Sequence, residues 1–148
     1  MTLARMPDIL TLTMNPALDI STAIDRVEPV HKLRCGPHQT HPGGGGINVA
    51  RVLHRLGSRV RAIYTAGGPL GRELSALLDA EGVPSQVVPI AGGTRESFSV
   101  FERCSGQDFR FVLPGPTLTE PEWTACLDAV VAGLAQARRH RPGNRLRV

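Results

Sequence analysis

The sequence predicts an α/β fold built on a mainly parallel sheet. Two observations lead there. Apolar runs of strand length alternate with segments of helical period, and the joints between them are short and rich in Gly and Pro. Alternation of this kind needs crossover connections, which are right-handed and lay helices on the faces of a parallel sheet. A third observation adds a smaller, separate piece: four moderately polar or alternating runs suit a half-exposed sheet better than a central one. At 148 residues the chain is long enough to bury roughly two-thirds of its unfolded surface, which fits one domain or part of one.

The elements follow in order. Residues 9–14 mix Ile, Leu and Met with Thr and stop at Asn15-Pro16, a first strand. Residues 19–24 and 33–40 read as short polar strands. Four glycines, Gly43 to Gly46, then run into a helix with Val49, Leu53 and Leu56 at i, i+4 and i+7 and Gly57 as its stop. Glycine lets a backbone approach something small, and a helix start offers free N–H groups to hydroxyls or phosphate oxygens. A plain flexible loop is the other reading of that run. Residues 60–65 form a strand and 66–71 a second turn. The next helix carries Leu70, Leu74, Leu77 and Leu78 on one face and Gly82 at its end. Residues 85–90 are another strand. Residues 97–104 and 109–113 alternate and are joined by Ser105-Gly106-Gln107-Asp108, a hairpin. Thr119 with Glu122 is a capping box, Pro121 sits in the first turn, and Trp123, Leu127, Val130, Val131 and Leu134 share a helical face.

Composition narrows the function classes. The net charge of +4 comes from the end of the chain: Arg138, Arg139, Arg141, Arg145 and Arg147 fall in the last eleven residues, and without them 12 bases face 13 acids, a net of −1. There is no electrostatic case for a nucleic-acid partner over the rest of the chain. No apolar run reaches the ~18 residues that would span a bilayer, and the first residues lack the apolar core of a secretory leader. Cys35, Cys104 and Cys126 are odd in number and widely spaced, which argues against a disulfide framework or a zinc site and for a reducing cytoplasm. After Ala137 the pattern fails where another buried strand should begin. Residues 138–148 read as a basic, disordered tail, because Arg is almost never buried unpaired. A parallel sheet interrupted there would expose an edge and apolar helix faces, so the sequence predicts a marginal, aggregation-prone species unless a partner covers them.

The run Pro42-Gly43-Gly44-Gly45-Gly46-Ile47-Asn48-Val49-Ala50-Arg51 resembles the N-terminal motif of the PfkB family, the ribokinase-like carbohydrate kinases. Leu10-Thr11-Leu12-Thr13-Met14-Asn15-Pro16-Ala17-Leu18-Asp19, Lys32-Leu33-Arg34-Cys35, Ala66-Gly67-Gly68, Thr94-Arg95 and Phe109-Arg110-Phe111-Val112-Leu113-Pro114-Gly115 extend the match over about residues 8–137. They bring it close to the minor 6-phosphofructokinase branch (isozyme 2 type). The 1-phosphofructokinases and tagatose-6-phosphate kinases of the family usually have Gly-Lys-Gly-Ile-Asn where this chain has Gly44-Gly45-Gly46-Ile47-Asn48.

The resemblance implies the N-terminal half, residues 1–137, of a three-layer ribokinase-like fold with a small antiparallel β lid made from about residues 19–40 and 97–113. It implies ATP- and Mg²⁺-dependent phosphorylation of fructose 6-phosphate to fructose 1,6-bisphosphate, in the cytoplasm, by a homodimer joined through its lids. Family members are roughly twice this long and carry the catalytic aspartate, in a Gly-Ala-Gly-Asp motif, and most of the ATP pocket in their second half. The chain alone is therefore expected to be inactive; the alternatives are a non-catalytic truncated fragment that binds sugar phosphate or an intact subunit, or descent from the 1-phosphofructokinase or tagatose-6-phosphate kinase lineage.

Site residues carry over one by one. Asp19 would accept hydrogen bonds from sugar hydroxyls, or else be a solvated loop acid. Gly44 and Gly45 would offer N–H groups, and Asn48 would recognise hydroxyls or simply cap its helix. Arg95 would hold the sugar 6-phosphate with its fork of donors, helped by Arg110. Lys32 would reach nucleotide phosphates at a neighbouring subunit. His31, His38 and His41 near the glycine run are expected to be surface or lid residues with no metal role.

Overall fold

The computed structural model describes residues 7–139, and the predicted tail from residue 140 on lies outside them. Two sheets meet end to end. The core sheet is parallel, in the order β1–β4–β5, formed by β1 (Ile9–Thr13), β4 (Val60–Ala66) and β5 (Ser85–Pro89). The second sheet has four strands in the order β3–β2–β6–β7: β2 (Ala17–Ile24), β3 (Gln39–Gly43), β6 (Arg95–Glu102) and β7 (Asp108–Val112). Among the described residues there are three helices: α1 (Gly45–Arg55), α2 (Gly68–Ala80) and α3 (Glu120–Arg139).

The core is layered by the two-residue period of β4. Val60, Ala62, Tyr64 and Ala66 pack with Ile47 and Ala50 of α1 and Leu74 and Leu78 of α2. Ile63, on the opposite face, packs with Val88 of β5 and Cys126 and Ala129 of α3. A strand buried on both faces carries apolar residues at successive positions, as 62–64 do. Leu74 and Leu78 are fully enclosed, and burial of such a side chain contributes about 1.5–3 kcal/mol. The hydroxyl of Tyr64 donates to Ser75 Oγ (3.0 Å), which donates on to the Gly71 carbonyl, so the buried ring leaves no polar atom unpaired. At the start of α3 the Glu122 carboxylate accepts the Thr119 N–H (2.7 Å) and the Ala91 N–H (2.7 Å). The capping box therefore also fastens α3 to the segment after β5.

Four expectations need correcting. Residues 33–38 are not a strand; β3 is confined to Gln39–Gly43, after Gly36-Pro37 breaks the run. The second sheet is mixed rather than antiparallel, because β2 and β6 run parallel in register from Ala17–Arg95 to Ile24–Glu102, flanked by the antiparallel pairs β2–β3 and β6–β7. The buried face of α1 is Ile47 and Ala50 with Leu53 partly covered, while Val49 and Leu56 are exposed. Likewise α3 buries Cys126 and Ala129 and leaves Trp123, Leu127, Val131 and Leu134 exposed, and it runs two residues past Ala137. In both helices the apolar stripe read from the sequence lies beside the face that packs. Both α1 and α3 contact β1, whose one strand partner among the described residues is β4. No helix among the described residues is long and apolar enough to cross a membrane.

Candidate functional site

The site is assembled where the two sheets join. Only three residues, Met14-Asn15-Pro16, separate β1 from β2, and Gly44 alone separates β3 from α1. The second sheet is thus held close against the carboxyl ends of the core strands, where open α/β sheets bind ligands. A cavity of about 310 Å³ opens at this joint, lined by Asp19, Ser21, His41, Gly44, Gly45, Asn48, Arg95, Ser97, Ser99 and Arg110 together with Ile20, Phe98, Phe111 and Val112.

Register explains why this face is polar. Asp19 lies opposite His41 on β3 and Ser97 on β6, and Ser99 lies opposite Arg110 on β7. Directly opposed residues share one face of a sheet. The positions between them, Ile20, Phe98 and Phe111, share the other face, where the rings of Phe98 and Phe111 stack with centroids 4.8 Å apart. The second sheet has a mainly polar face over the cavity and an apolar opposite face, on which Phe98 and Phe111 are exposed and border the cavity.

The glycine run is shaped by close approaches, not by looseness. A Cβ on Gly43 would run into the Asp19 carboxylate, and one on Gly46 would come within 2.7 Å of the Leu12 carbonyl oxygen. Gly44 is the N-cap of α1 at φ 120°, and its Cβ would meet Thr13 Cγ2 at 2.7 Å. Gly45 differs: nothing stands within 4 Å of its Cβ position, which faces open space at the cavity. In the first turn of α1 the Ile47 N–H is taken by Thr13 Oγ1 (3.0 Å). Helix geometry leaves the preceding N–H groups without an intrahelical acceptor, and the positive end of the helix dipole points the same way.

Charge in the cavity is mixed. Burial raises Asp19 above the usual carboxylate range, and Arg95, Arg110, His41 and Arg51 oppose that rise. Arg95 is braced: its guanidinium donates to Asn15 Oδ1 (3.1 Å), Ser97 Oγ (2.9 Å) and the Leu113 carbonyl (3.3 Å). Such bracing fixes the fork in place while leaving donor capacity free. Behind the glycine run, Arg51 donates to the Pro42 carbonyl (3.2 Å) and forms a two-pronged pair with Glu81 at the end of α2 (2.9 Å from Nε, 2.6 Å from Nη2). That pairing holds the Glu81 carboxyl below its ordinary range, chiefly through the Arg51 hydrogen bond.

Six of the seven residues singled out in the sequence, Asp19, Gly44, Gly45, Asn48, Arg95 and Arg110, line one cavity. Lys32 does not; it is exposed in the connection between β2 and β3. Ser21, His41, Ser97 and Ser99 were missed. Ser97 and Ser99 sit in the same alternation as Arg95, and Ser21 in that of Asp19, and could have been found from it, whereas His41 needed the β2–β3 register. No group of three or more His, Cys, Asp or Glu side chains that could hold a metal ion occurs among the described residues.

Residues 12–139 match the pfkB family carbohydrate kinase profile. The chain belongs to that family. It is 54% identical over 131 residues to the ATP-dependent 6-phosphofructokinase isozyme 2 of Mycobacterium tuberculosis, covering 88% of this chain and 39% of that protein. Over 118 residues it is 44% identical to the isozyme 2 of Escherichia coli, covering 80% of this chain and 38% of that one. The crystal structure of the Escherichia coli phosphofructokinase-2 in complex with fructose-6-phosphate superposes with a TM-score of 0.81 at 42% identity, over 86% of this chain and 42% of that one. The α/β fold with a parallel sheet and a second, mixed sheet is thus the fold of the PfkB kinases. This chain spans about two-fifths of the length of the relatives it matches.

Proposed function

We propose that this chain is the sugar-phosphate-binding part, residues 1–137, of an ATP-dependent 6-phosphofructokinase, and that its cavity takes fructose 6-phosphate. The observation that carries the reading is one cavity joining a braced guanidinium and a second arginine to a carboxylate, an asparagine and a glycine-lined helix start. A phosphorylated polyol needs that combination: cationic donors at one end and mixed acceptors and donors at the other.

In this reading Arg95 and Arg110 hold the 6-phosphate. Asp19 accepts from sugar hydroxyls, Asn48 both donates and accepts, and Gly44 and Gly45 let the sugar lie against backbone N–H groups. Lys32 reaches nucleotide phosphates in a neighbouring subunit. ATP is the phosphoryl donor, with Mg²⁺ held by residues outside those described here. The second sheet acts as the lid, and its apolar face, with Phe98 and Phe111, packs on the same face of a second subunit. The setting is cytoplasmic.

Binding and turnover separate in this chain. The residues described place and desolvate a sugar phosphate, and the matched region is two-fifths of the kinases it resembles. Residues 1–148 are expected to bind fructose 6-phosphate and to release no ADP from ATP and Mg²⁺. Two measurements test this, isothermal titration calorimetry with fructose 6-phosphate and a coupled ADP-release assay. Failure to bind refutes the site; turnover refutes the division of labour.

A further inference from the structure

Two residues outside the cavity wall meet beside Arg95. Asn15 belongs to the joint between β1 and β2, and Gly115 follows β7; neither lines the cavity. A Cβ on Gly115 would fall on the Asn15 side-chain amide. The Gly115 backbone lies outside the left-handed region, so that close approach, not conformation, accounts for the glycine. The Asn15 amide therefore touches the segment after β7 and Arg95 at once.

The contacts of Arg95 divide by nitrogen. Nε donates to Asn15 Oδ1 (3.1 Å), whereas Nη1 donates to Ser97 Oγ (2.9 Å) and the Leu113 carbonyl (3.3 Å). Nη2 is left a long contact of 3.5 Å to the Asn15 carbonyl. The backbone just before Arg95 is fixed separately: the buried Thr94 donates its N–H to the Gly67 carbonyl (2.9 Å) and accepts the Gly67 N–H at its hydroxyl (3.1 Å). Acceptors at two nitrogens fix the plane of a guanidinium, and an acceptor at one leaves it free to turn. Two-pronged recognition of a phosphate depends on that plane.

Resting on the sugar-phosphate reading above, we propose that Asn15, seated against Gly115, is a positioning residue that turns the Arg95 guanidinium toward the phosphate of the ligand. Asn15 supplies the acceptor at Nε; without it the group turns about its Nη1 contacts. The amide is neutral, so it orients the fork without cancelling the charge that the phosphate needs. Gly115 acts through Asn15. A methyl group at 115 displaces the end of a flexible side chain, which costs the fold little, and Nε loses its acceptor.

The test is calorimetric titration of the full chain with fructose 6-phosphate, for wild type, Asn15→Ala, Gly115→Ala, Arg95→Lys and each of the first two combined with Arg95→Lys. Asn15→Ala and Gly115→Ala should each weaken binding about tenfold. In the Arg95→Lys background, where no planar fork remains to be oriented, the same changes should add less than about twofold. Asn15 is exposed, so circular dichroism melts of both single variants should stay near wild type; Gly115→Ala reaches the same amide from a second place in the chain. An effect through packing alone would lower those melts and multiply fully with Arg95→Lys, and that result overturns the proposal. So does wild-type affinity in both single variants, which leaves the sugar-phosphate reading standing as long as Arg95→Lys weakens binding. If wild type does not bind, both fall.

Discussion

Gly44 and Gly45 are adjacent, alike in composition and opposite in what they tolerate, and exchanging each for alanine separates the architecture of the loop from its use. At Gly44 the backbone sits at φ 120°, ψ 140°, and a Cβ would stand 2.7 Å from Thr13 Cγ2 and 3.3 Å from Pro16 Cα. Backbone strain of that kind costs about 1–3 kcal/mol. Displacing Thr13 also weakens the hydroxyl that caps the Ile47 N–H, at about 1 kcal/mol more. For a domain of this size each kcal/mol moves the melting temperature about 3 °C, so Gly44→Ala should melt about 9 °C lower. Gly45 lies outside the left-handed region and has no atom within 4 Å of its Cβ position. There alanine restricts the unfolded chain and adds about 0.4–1 kcal/mol, so Gly45→Ala should melt at or slightly above wild type. Its methyl points into the cavity, and the affinity for fructose 6-phosphate should fall about tenfold. Scanning fluorimetry and calorimetry on the two variants suffice. A Gly44→Ala chain that melts with wild type, or a Gly45→Ala chain that melts several degrees lower, would refute this account of the loop.

Other outcomes follow from the same geometry. Asp19→Asn should cost about tenfold in fructose 6-phosphate affinity by calorimetry. Burial raises the carboxyl of Asp19, so its ionised form opposes folding at pH 7 and gains nothing from higher pH; the variant should melt no lower than wild type at pH 7. Arg95→Lys replaces a braced fork with a point charge and should weaken the same binding by about 2 kcal/mol, roughly thirtyfold. Glu81 is lowered by Arg51, so the stability it contributes is present above about pH 4.5 and lost as pH falls through its folded value. Glu81→Gln should cost about 1–2 kcal/mol in urea unfolding at pH 7 and should flatten the acid limb of stability. Phe98→Asp, on the apolar face of the second sheet, should leave the melt near wild type and abolish dimerisation in light scattering, if copies of the chain associate through that face.

How much was legible in the sequence depended on whether a signal was local. The strand at β4, the leucine face of α2, the β6–β7 hairpin and the Thr119–Glu122 capping box were all readable, because each rests on residues a few positions apart. The parallel pairing of β2 with β6 joins positions 78 apart in the chain, Ala17 with Arg95 for example, and no local pattern announces it. The helix faces failed for a different reason. Val49, Leu56, Trp123 and Leu127 have the right period, but period cannot say which of two adjacent apolar stripes meets the sheet. The cavity residues were found through their motifs. His41 was passed over because its partner is across a sheet, and the bracing of Arg95 by Asn15, Ser97 and Leu113 could not be foreseen from composition.

The shortness of the joint between the sheets has a mechanical consequence. The second sheet is anchored at Met14-Asn15-Pro16 and Gly44, both beside the cavity, while β2 extends eight residues outward, about 25 Å at the usual rise per residue. A rigid tilt of about 10° at that joint would carry the far tip about 4 Å and leave the anchored end almost still, as hinge motions do. Small adjustments among Asn15, Arg95 and Gly44 are therefore magnified at the distal edge. The cavity sits at the fulcrum, and the distal edge of the second sheet sits at the end of the lever arm.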